Sequence, residues 1–355
     1  MQDKMSFLYA TDKNFVHVML VSLYTLLERN SDDDLEVYVV ISTDVDEEER
    51  RKILEVGKAY KKEVYLIEKP DFDSLTHVKL DIKRYSASMF SRIAVGTILP
   101  PEVNRVVYLD CDTYILDSLR SLWEQDLHGK IIGAVNDSRS IGYSYNLGIR
   151  NNNCYINSGV LLIDLRKYRR DDIERVIFKT LAKLNGLLEF PDNDAICKVL
   201  QDEIELLPLR YNVTSVCRMC TYKEILALRH PAHIIDREEY DKANQNPAIL
   251  HFTTFFMMKG RPWMLNCNHP DTAAYQKLRK KLGEEPEENS LSHGWKQRVY
   301  SIVEKTMPRK LVIYMFGVIH AYIKPLIQSR RMALCRRDYT VEDIKNESSD
   351  KTTAS

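Results

Sequence analysis

The sequence predicts an α/β fold with an open, mostly parallel sheet flanked by helices, and two observations support it. Short runs of β-branched and apolar residues alternate with longer segments of helical periodicity through the first half of the chain. The run at 105–109 ends abruptly in two aspartates, Asp110 and Asp112. Polar residues directly after a buried strand lie where open α/β sheets bind their ligands.

The elements follow one another in a regular order. Acidic residues at 46–49 are typical of the first turn of a helix, where the helix dipole favours negative charge. Strands and helices in alternation imply a sheet covered by helices on both faces. Strands are predicted at 6–10, 35–41, 64–67, 105–110, 130–135 and 159–163, and helices at 12–30, from 46 onward and at 86–99.

The chain of 355 residues divides by composition into three parts. Residues 1–270 are expected to form a catalytic domain, 271–340 a basic, apolar helical extension, and 341–355 a disordered tail. Between 306 and 337 there are seven Lys or Arg residues and no acid. Pro308 and Pro325 bracket the apolar part, which predicts a helix too short to cross a bilayer and suited to an anionic membrane surface. The alternative is a helix packed on the domain, with solvated basic residues.

Overall charge and cysteine content restrict the class of protein. The formal net charge is zero, so no general field attracts nucleic acid, and no nucleic-acid partner is expected. Seven scattered cysteines without framework spacing are typical of reduced thiols. The N-terminus lacks the apolar core of a signal peptide. These features predict a cytoplasmic protein, peripheral on the inner face of the cytoplasmic membrane.

The Asp110-Cys111-Asp112 turn is the strongest chemical signal. Two carboxylates on a short arc suit a hard cation, Mn²⁺ or Mg²⁺, which in turn holds a diphosphate. The alternative is an acidic turn that only caps the next segment. No glycine-rich phosphate loop follows the first strand, so a metal and basic side chains are expected to neutralise a bound diphosphate.

Further motifs follow in order along the chain. They are Ala10-Thr11-Asp12-Lys13-Asn14-Phe15, Arg92, Asp110-Cys111-Asp112, Asp137, Asn157-Ser158-Gly159, Phe190-Pro191-Asp192-Asn193-Asp194, His251-Phe252 and Arg261-Pro262-Trp263. Together these motifs resemble those of the family-8 retaining glycosyltransferases, which include lipopolysaccharide galactosyl- and glucosyltransferases and glycogenin. The resemblance spans roughly residues 6–270 and implies a fold of glycosyltransferase-A type.

The resemblance also implies a role for each motif. It assigns the metal to Asp110, Asp112 and His251, and the catalytic residues to Asp192, Asn193 and Arg261. Asn193 stands where the family has Gln, and Thr254 where it has Gly. Either Lys259 or Arg261 takes the place of the lysine that binds the leaving diphosphate. The nucleotide-sugar site comprises Ala10, Asp12, Asn14, Phe15, Arg92, Asp110, Cys111, Asp112, Asp137, Asn157, Ser158, Asp192, Lys259 and Arg261.

The implied reaction is transfer of glucose or galactose from a UDP-sugar to a hydroxyl of a glycan or glycolipid, with retention, in lipopolysaccharide or capsule synthesis. A front-face route and a double displacement both remain open. One alternative is an Asp-x-Asp phosphohydrolase, but that class needs Thr or Val where Tyr114 stands. Another is a non-catalytic UDP-sugar-binding or membrane-associated protein. Cys217 and Cys220 with Cys267 and His269 lack standard zinc spacing, which favours ordinary thiols.

Overall fold

The fold was described from a computed structural model, which defines residues 4–70, 87–150, 154–184, 187–288, 303 and 306–335. The predicted tail at 341–355 lies outside these residues. The predicted α/β fold class is confirmed. The strands are β1 Met5–Thr11, β2 Leu35–Ile41, β3 Glu63–Glu68, β4 Arg105–Leu109, β5 Thr113–Ile115, β6 Ile132–Asn136, β7 Ile156–Asp164, β8 Ile204–Leu206, β9 Val213–Thr214 and β10 Ile249–His251.

Seven strands form the central sheet, in the order β3-β2-β1-β4-β7-β6-β8. Strands β1 to β4 are mutually parallel where they pair, and β6 is parallel to β8. Strand β7 runs antiparallel to both of its neighbours, β4 and β6. This reversal brings the first residues of β7 to the carboxyl end of β4, beside Asp110.

A second sheet of three strands, β5-β10-β9, continues from the same edge. Strand β10 pairs antiparallel with β5, with His251 opposite Thr113. It also pairs parallel with β9, with His251 opposite Thr214. The small sheet therefore carries His251 next to the turn that holds Asp112.

Helices cover both faces of the central sheet, as the sequence predicts. They are α1 Val16–Arg29, α2 Glu47–Ala59, α3 Val95–Ile98, α4 Arg120–Trp123, α5 Ile141–Leu147, α6 Leu165–Arg170, α7 Ile173–Lys183, α8 Pro191–Val199, α9 Ser215–Met219, α10 Tyr222–Arg229, α11 Arg237–Gln245, α12 Thr272–Lys281, α13 Arg309–Val318 and α14 Lys324–Cys335. One apolar cluster joins α1 to Val37 and Val107, and another joins α7 and α8 to Val40 and Val106. At α2, Asp46 and Glu49 form a reciprocal capping box, which confirms the predicted start of this helix.

The continuous helix predicted at 86–99 is wrong. The segment forms a 3₁₀ helix, Ala87–Arg92, and the short α3. Backbone carbonyls here are taken by side chains: Tyr168 donates to the Ile93 carbonyl at 2.7 Å and Arg169 to the Gly96 carbonyl at 2.9 Å. Side-chain donors thus replace part of the helical hydrogen-bond ladder.

The helix predicted to end at Pro325 instead continues. Helix α13 passes through a π-helical turn, Ile319–Ile323, into α14, which contains Pro325. Proline lacks an N–H and leaves the carbonyl four residues earlier without its helical partner. That carbonyl, on Ala321, accepts a hydrogen bond from the Ser140 hydroxyl at 2.8 Å. The side chain compensates for the missing amide, so the helix does not break.

This C-terminal helix packs on α5 and α10. A side chain on Gly317 would collide with the Ala227 carbonyl, so the two backbones lie in close contact there. The buried residues Val312, Ile313 and Ala321 face the domain. Arg309 forms an ion pair with Glu224 at 2.7 Å. This face of the helix therefore packs on the domain, which is the alternative that the sequence left open.

The opposite face of the same helix is apolar and open. The exposed large side chains are Leu311, Tyr314, Met315, Tyr322, Ile323, Leu326 and Ile327. The 25 residues Arg309–Ala333 are long and apolar enough to cross a membrane by length and composition alone, and 33% of their most apolar window is buried in the protein. The prediction that the segment is too short to span does not hold, because it assumes an end at Pro325.

Candidate active site

Three potential metal ligands converge at the carboxyl end of β4. His251 Nε2 lies 3.1 Å from Asp112 Oδ1 and 3.5 Å from Asp110 Oδ2. The three ligand atoms all lie within 4.8 Å of one another. Among the residues that the structure describes, no other group of three His, Cys, Asp or Glu side chains converges in this way. The four residues considered for a zinc site, Cys217, Cys220, Cys267 and His269, do not form such a group.

Backbone hydrogen bonds fix the turn that carries the two aspartates. The Asp110 N–H donates to the Gly159 carbonyl at 2.8 Å, which ties the turn to β7. The Phe252 N–H donates to the Asp112 carbonyl at 2.9 Å, which ties it to the end of β10. A side chain on Gly159 would collide with the His251 ring and with the Asp110 carboxylate. Glycine is therefore required where the ligands meet.

A chain of hydrogen bonds determines which nitrogen of His251 is protonated. The Gly159 N–H and the Asn212 Nδ2 both donate to Asn157 Oδ1, at 3.0 and 2.9 Å. Asn212 must then present its carbonyl oxygen to His251, and its Oδ1 lies 2.9 Å from Nδ1. Nδ1 is accordingly the protonated nitrogen in the neutral ring. Nε2 is left with its lone pair directed towards Asp110 and Asp112, as a metal ligand requires.

The pKa values of the cluster reflect burial and opposing charges. Burial raises the pKa of Asp110, against the charges of Arg92 and His251. Burial also acts on Asp112, but His251 and Arg261 outweigh it and lower the pKa of Asp112 to about 2. Burial lowers the pKa of His251, but the negative charge of Asp112 raises it. The net result is an increase in the pKa of His251. Asp112 is thus ionised at neutral pH, as a ligand of a hard cation must be.

Arg92 links this cluster to the predicted hexose-binding residues. Its Nη2 lies 2.6 Å from Asp110 Oδ1, and its Nη1 lies 3.1 Å from Asp192 Oδ2. Nη1 also donates to the Ser158 hydroxyl at 2.9 Å. The Tyr108 hydroxyl donates to Asp110 Oδ1 at 2.9 Å. The guanidinium thus holds two carboxylates from different elements together. Burial acts to lower the pKa of Arg92, but Asp110 and the other acidic groups around it outweigh burial and raise that pKa.

Asn193 forms hydrogen bonds with the backbone of strand β7 where that strand pairs irregularly. Pairing between β6 and β7 shifts register at Ala134 and Val135. Asn193 Oδ1 accepts from the Ser158 N–H at 2.7 Å, and its Nδ2 donates to the Ile156 carbonyl at 3.0 Å. Both ends of the amide are therefore engaged by the backbone of β7. This arrangement holds Ser158 where its hydroxyl contacts Arg92 and Asp192.

The predicted uridine turn lies directly after β1. The Asn14 N–H donates to Asp12 Oδ1 at 3.1 Å, which forms an Asx turn. The Phe15 ring is 40% exposed and meets Trp263 edge-on, with ring centroids 6.1 Å apart. Cys111 Sγ donates to the Ala10 carbonyl at 3.1 Å and joins this turn to the aspartate turn. The predicted base-binding and metal-binding segments are thus neighbours.

Arg261, rather than Lys259, extends into the cluster. Its Nη1 lies 3.2 Å from Asp112 Oδ2, and its Nη2 donates to the Thr254 hydroxyl at 2.7 Å. Thr254, which replaces the glycine of the family motif, thus supports the arginine. Lys259 is exposed, and its N–H donates to Asn268 at 2.7 Å.

Four further residues contribute to the site beyond those that the sequence assigns to it. Tyr108 and Asn212 orient two of the predicted metal ligands, and Thr254 holds Arg261. Arg139 lies against Asp137, with its Nε 2.5 Å from Asp137 Oδ2. Tyr108 lies in a predicted strand two residues before Asp110, so strand periodicity places it on the same face. Thr254 is visible in the sequence only as the residue that replaces the glycine of the family motif, and Asn212 and Arg139 carry no pattern of their own.

The comparisons with known proteins agree with this geometry. Residues 7–267 match the model of the family described as Glycosyl transferase family 8. The chain belongs to glycosyltransferase family 8. Because the match covers most of the chain, an Asp-x-Asp phosphohydrolase is excluded. The chain is 26% identical over 256 residues to General stress protein A of Bacillus subtilis, covering 71% of this chain and 84% of that protein.

Two further relatives extend the comparison. Lipopolysaccharide 1,2-glucosyltransferase of Escherichia coli is 22% identical over 263 residues, covering 72% of each chain. The solved structure of galactosyltransferase LgtC with donor and acceptor sugar analogs superimposes with a TM-score of 0.65, at 23% identity. It covers 80% of this chain and 98% of that chain. This likeness confirms the glycosyltransferase-A type of fold for this family-8 protein.

Proposed function

We propose that this family-8 protein is a metal-dependent, retaining hexosyltransferase that uses a UDP-sugar, with glucose or galactose as the transferred hexose. The observation that carries the proposal is the cluster of Asp110, Asp112 and His251, with Nδ1 of His251 hydrogen-bonded to Asn212, so that Nε2 is the nitrogen that faces the two carboxylates. Two carboxylates and a neutral imidazole suit Mn²⁺, or Mg²⁺ as the alternative. When bound, the cation neutralises the diphosphate and the charge that develops on departing UDP.

The protein's own residues position the donor on two sides. Asp12, Asn14 and Phe15 supply an acceptor, an amide and a stacking face for uracil, and the Ala10 and Cys111 segments join this turn to the metal ligands. Arg92 and Asp192 contact the hexose, as do Asp137, Asn157 and Ser158. Asn193 acts as a positioning residue, because its amide is engaged by strand β7 at both ends.

Arg261 is assigned to the leaving diphosphate. Its guanidinium already reaches the ligand Asp112, and a planar fork binds phosphate oxygens in pairs. The carboxylate best placed near the sugar, Asp192, is in an ion pair with Arg92 at 3.1 Å, which weakens it as a nucleophile. A front-face route is therefore favoured over a double displacement, with a phosphate oxygen of the leaving group taking the proton of the acceptor hydroxyl.

The acceptor is assigned to a glycan or glycolipid of the cell surface, made at the inner face of the cytoplasmic membrane. The open apolar face of the C-terminal helix, with exposed Lys310, Arg330 and Arg331 along it, suits attachment to anionic lipid. The E. coli relative named as a lipopolysaccharide glucosyltransferase supports the same class of acceptor. On this basis 1–270 is the catalytic domain and the helix is its peripheral membrane anchor.

Release of UDP from UDP-glucose and UDP-galactose tests the proposal directly. The full-length chain should release UDP with Mn²⁺ and should stop when EDTA removes the metal. Mass spectrometry of membrane glycans incubated with each donor should show the added hexose. In calorimetry with Mn²⁺, UDP should bind more tightly than GDP or ADP. Turnover that persists in EDTA, or tighter binding of GDP, would contradict the assignment.

A further inference from the structure

Two arginines meet beside the predicted hexose site. Arg139 lies two residues after Asp137, in the loop that follows β6. The segment after α10 pairs with this loop: the Ala232 N–H donates to the Arg139 carbonyl at 2.9 Å, and Asn136 Nδ2 donates to the His233 carbonyl at 3.0 Å. Arg229, the last residue of α10, is therefore brought to the same place, and its charge interacts with those of Arg139 and Asp137.

The guanidinium of Arg139 is rigidly held. Its Cζ lies 4.6 Å from the centre of the Phe190 ring, 5.4 Å from Tyr143 and 6.0 Å from Tyr155. Its Nε contacts Asp137. Within the described residues no hydrogen bond of either terminal nitrogen is found, and the side chain keeps 14% of its surface exposed. Aromatic packing and one ion pair thus fix the orientation of two donors that remain available to a ligand.

Arg229 adds a second positive charge, which interacts with Asp137 at a distance but forms no direct ion pair in the described part of the chain. Its Nε is buried without a hydrogen-bond partner. Burial, and then the charge of Arg139, lower the pKa of Arg229. Buried charges in proteins are normally paired, so a partner supplied by a ligand is the natural completion of this site.

Three acids lie near the two arginines: Asp137, Asp194 and Glu189, whose charge acts on Tyr143. Asp137 is paired with Arg139. Asp194 is fully buried beneath Phe190, bonded to the Tyr155 hydroxyl and to the N–H groups of Glu189 and Phe190. Burial raises the pKa of Asp194 to about 6. The charges of Arg139 and Arg229, with that of Lys324, all act on the nearby His320, so positive charge collects beside this loop.

We propose that Arg139 and Arg229 bind an anionic group, a carboxylate or a phosphate, carried by a sugar that occupies the pocket beside Asp137. This inference rests on the proposed function. Phe190 stacks on Arg139 and lies two residues before Asp192. The guanidinium of Arg139 therefore lies between the segments of Asp137 and Asp192, both of which are assigned to the hexose. A planar guanidinium with two open N–H groups matches a carboxylate or phosphate edge. The anion belongs either to the donor, as a UDP-uronate, or to the acceptor glycan.

The test compares charged and neutral substrates in two arms. In the first, UDP release by the full chain with Mn²⁺ is measured for UDP-glucose, UDP-galactose, UDP-glucuronate and UDP-galacturonate. In the second, the best donor is offered with neutral acceptor sugars and with their phosphorylated or carboxylated counterparts. One arm should show a preference of about 10- to 100-fold in kcat/KM for the anionic substrate, as charge-assisted hydrogen bonds imply.

Arg139→Gln and Arg229→Gln should each reduce that preference towards unity. Arg166→Gln, at an exposed residue that forms an ion pair with Asp164 at the far end of β7, is the matched control and should leave the preference unchanged. A structural role alone would lower kcat/KM for charged and neutral substrates equally. Absence of any preference, or a preference that survives both substitutions, overturns the inference while leaving the proposed function intact. Failure to turn over any UDP-sugar defeats both.

Discussion

The cluster of Asp110, Asp112 and His251 and the C-terminal helix are held in the molecule by different forces. Asp110, Asp112 and His251 are oriented by short hydrogen bonds between strand ends, whose strength depends on direction. The helix is held mainly by apolar burial and by the close approach at Gly317, which are not directional. Substitutions in the cluster should therefore change chemistry without unfolding the protein, whereas those in the helix interface should change stability first.

The largest effect is expected for Asp112→Asn. The change removes a charged ligand but keeps the shape of the side chain, so turnover of a UDP-sugar should fall more than about 100-fold, beyond the loss typical of outer-shell substitutions. UDP release with saturating Mn²⁺ measures this. Asp126→Asn, at a residue whose side chain is 77% exposed, is the control. Activity that survives in Asp112→Asn would remove Asp112 from the metal site.

A smaller loss is expected for Asn212→Leu, which keeps the volume but removes the hydrogen bond to His251 Nδ1. Without it the ring can place its proton on Nε2, so the Mn²⁺ concentration for half-maximal activity should rise about 10- to 100-fold. Asn244→Leu, on the surface helix α11, serves as the control. An unchanged Mn²⁺ requirement would show that the hydrogen-bond chain does not control the tautomer.

In the helix interface, Gly317→Val should destabilise the protein by about 1–3 kcal/mol through overpacking against the Ala227 carbonyl. Urea unfolding of the full chain gives the change in free energy. Met315→Ala, on the open face of the same helix, should change stability by less than about 0.5 kcal/mol. Equal losses in the two variants would show that the helix is not docked at Gly317.

The smallest effect concerns pH and His320. Burial, with the charges of Lys324, Arg229 and Arg139, lowers the pKa of His320 to about 3. Unfolded chains bind this proton near pH 6.5, so the stabilising contribution is complete above pH 6.5 and is lost as pH falls towards 3. Unfolding at pH 7.5 and 5.0 should show a smaller loss of stability for His320→Asn than for wild type. His128→Asn, at an exposed residue, should behave as wild type.

Much of the sheet is predictable because buried strands carry a continuous β-branched pattern. The strand at 35–41 agrees with β2 residue by residue, and the run at 105–109 forms β4. Asp110 and Asp112 are identifiable because they adjoin in sequence at the end of that strand. His251 is brought to them by the pairing of β10 with β5, which no local pattern specifies. The resemblance to family 8, not periodicity, indicates this residue.

The features that sequence analysis misses depend on contacts between distant segments. Asn212 acts on a histidine 39 residues away, so its role has no local signature. The rule that proline ends a helix is a local one, and it fails at Pro325 because the Ser140 hydroxyl takes the freed carbonyl. Carbonyls at 93 and 96 are likewise taken by Tyr168 and Arg169, which interrupts the predicted helix at 86–99.

The hydrogen bond between Ser140 and Ala321 also limits the order in which the chain can fold during synthesis. Its partners are separated by 181 residues, and Ser140 lies three residues after Asp137 in the loop that follows β6. At synthesis rates of 5–20 residues per second, roughly ten to forty seconds pass between the emergence of the two ends. During that interval the loop that holds Ser140 has no helix to bind. The sheet and the cluster of Asp110, Asp112 and His251 are therefore synthesised before this last contact can form.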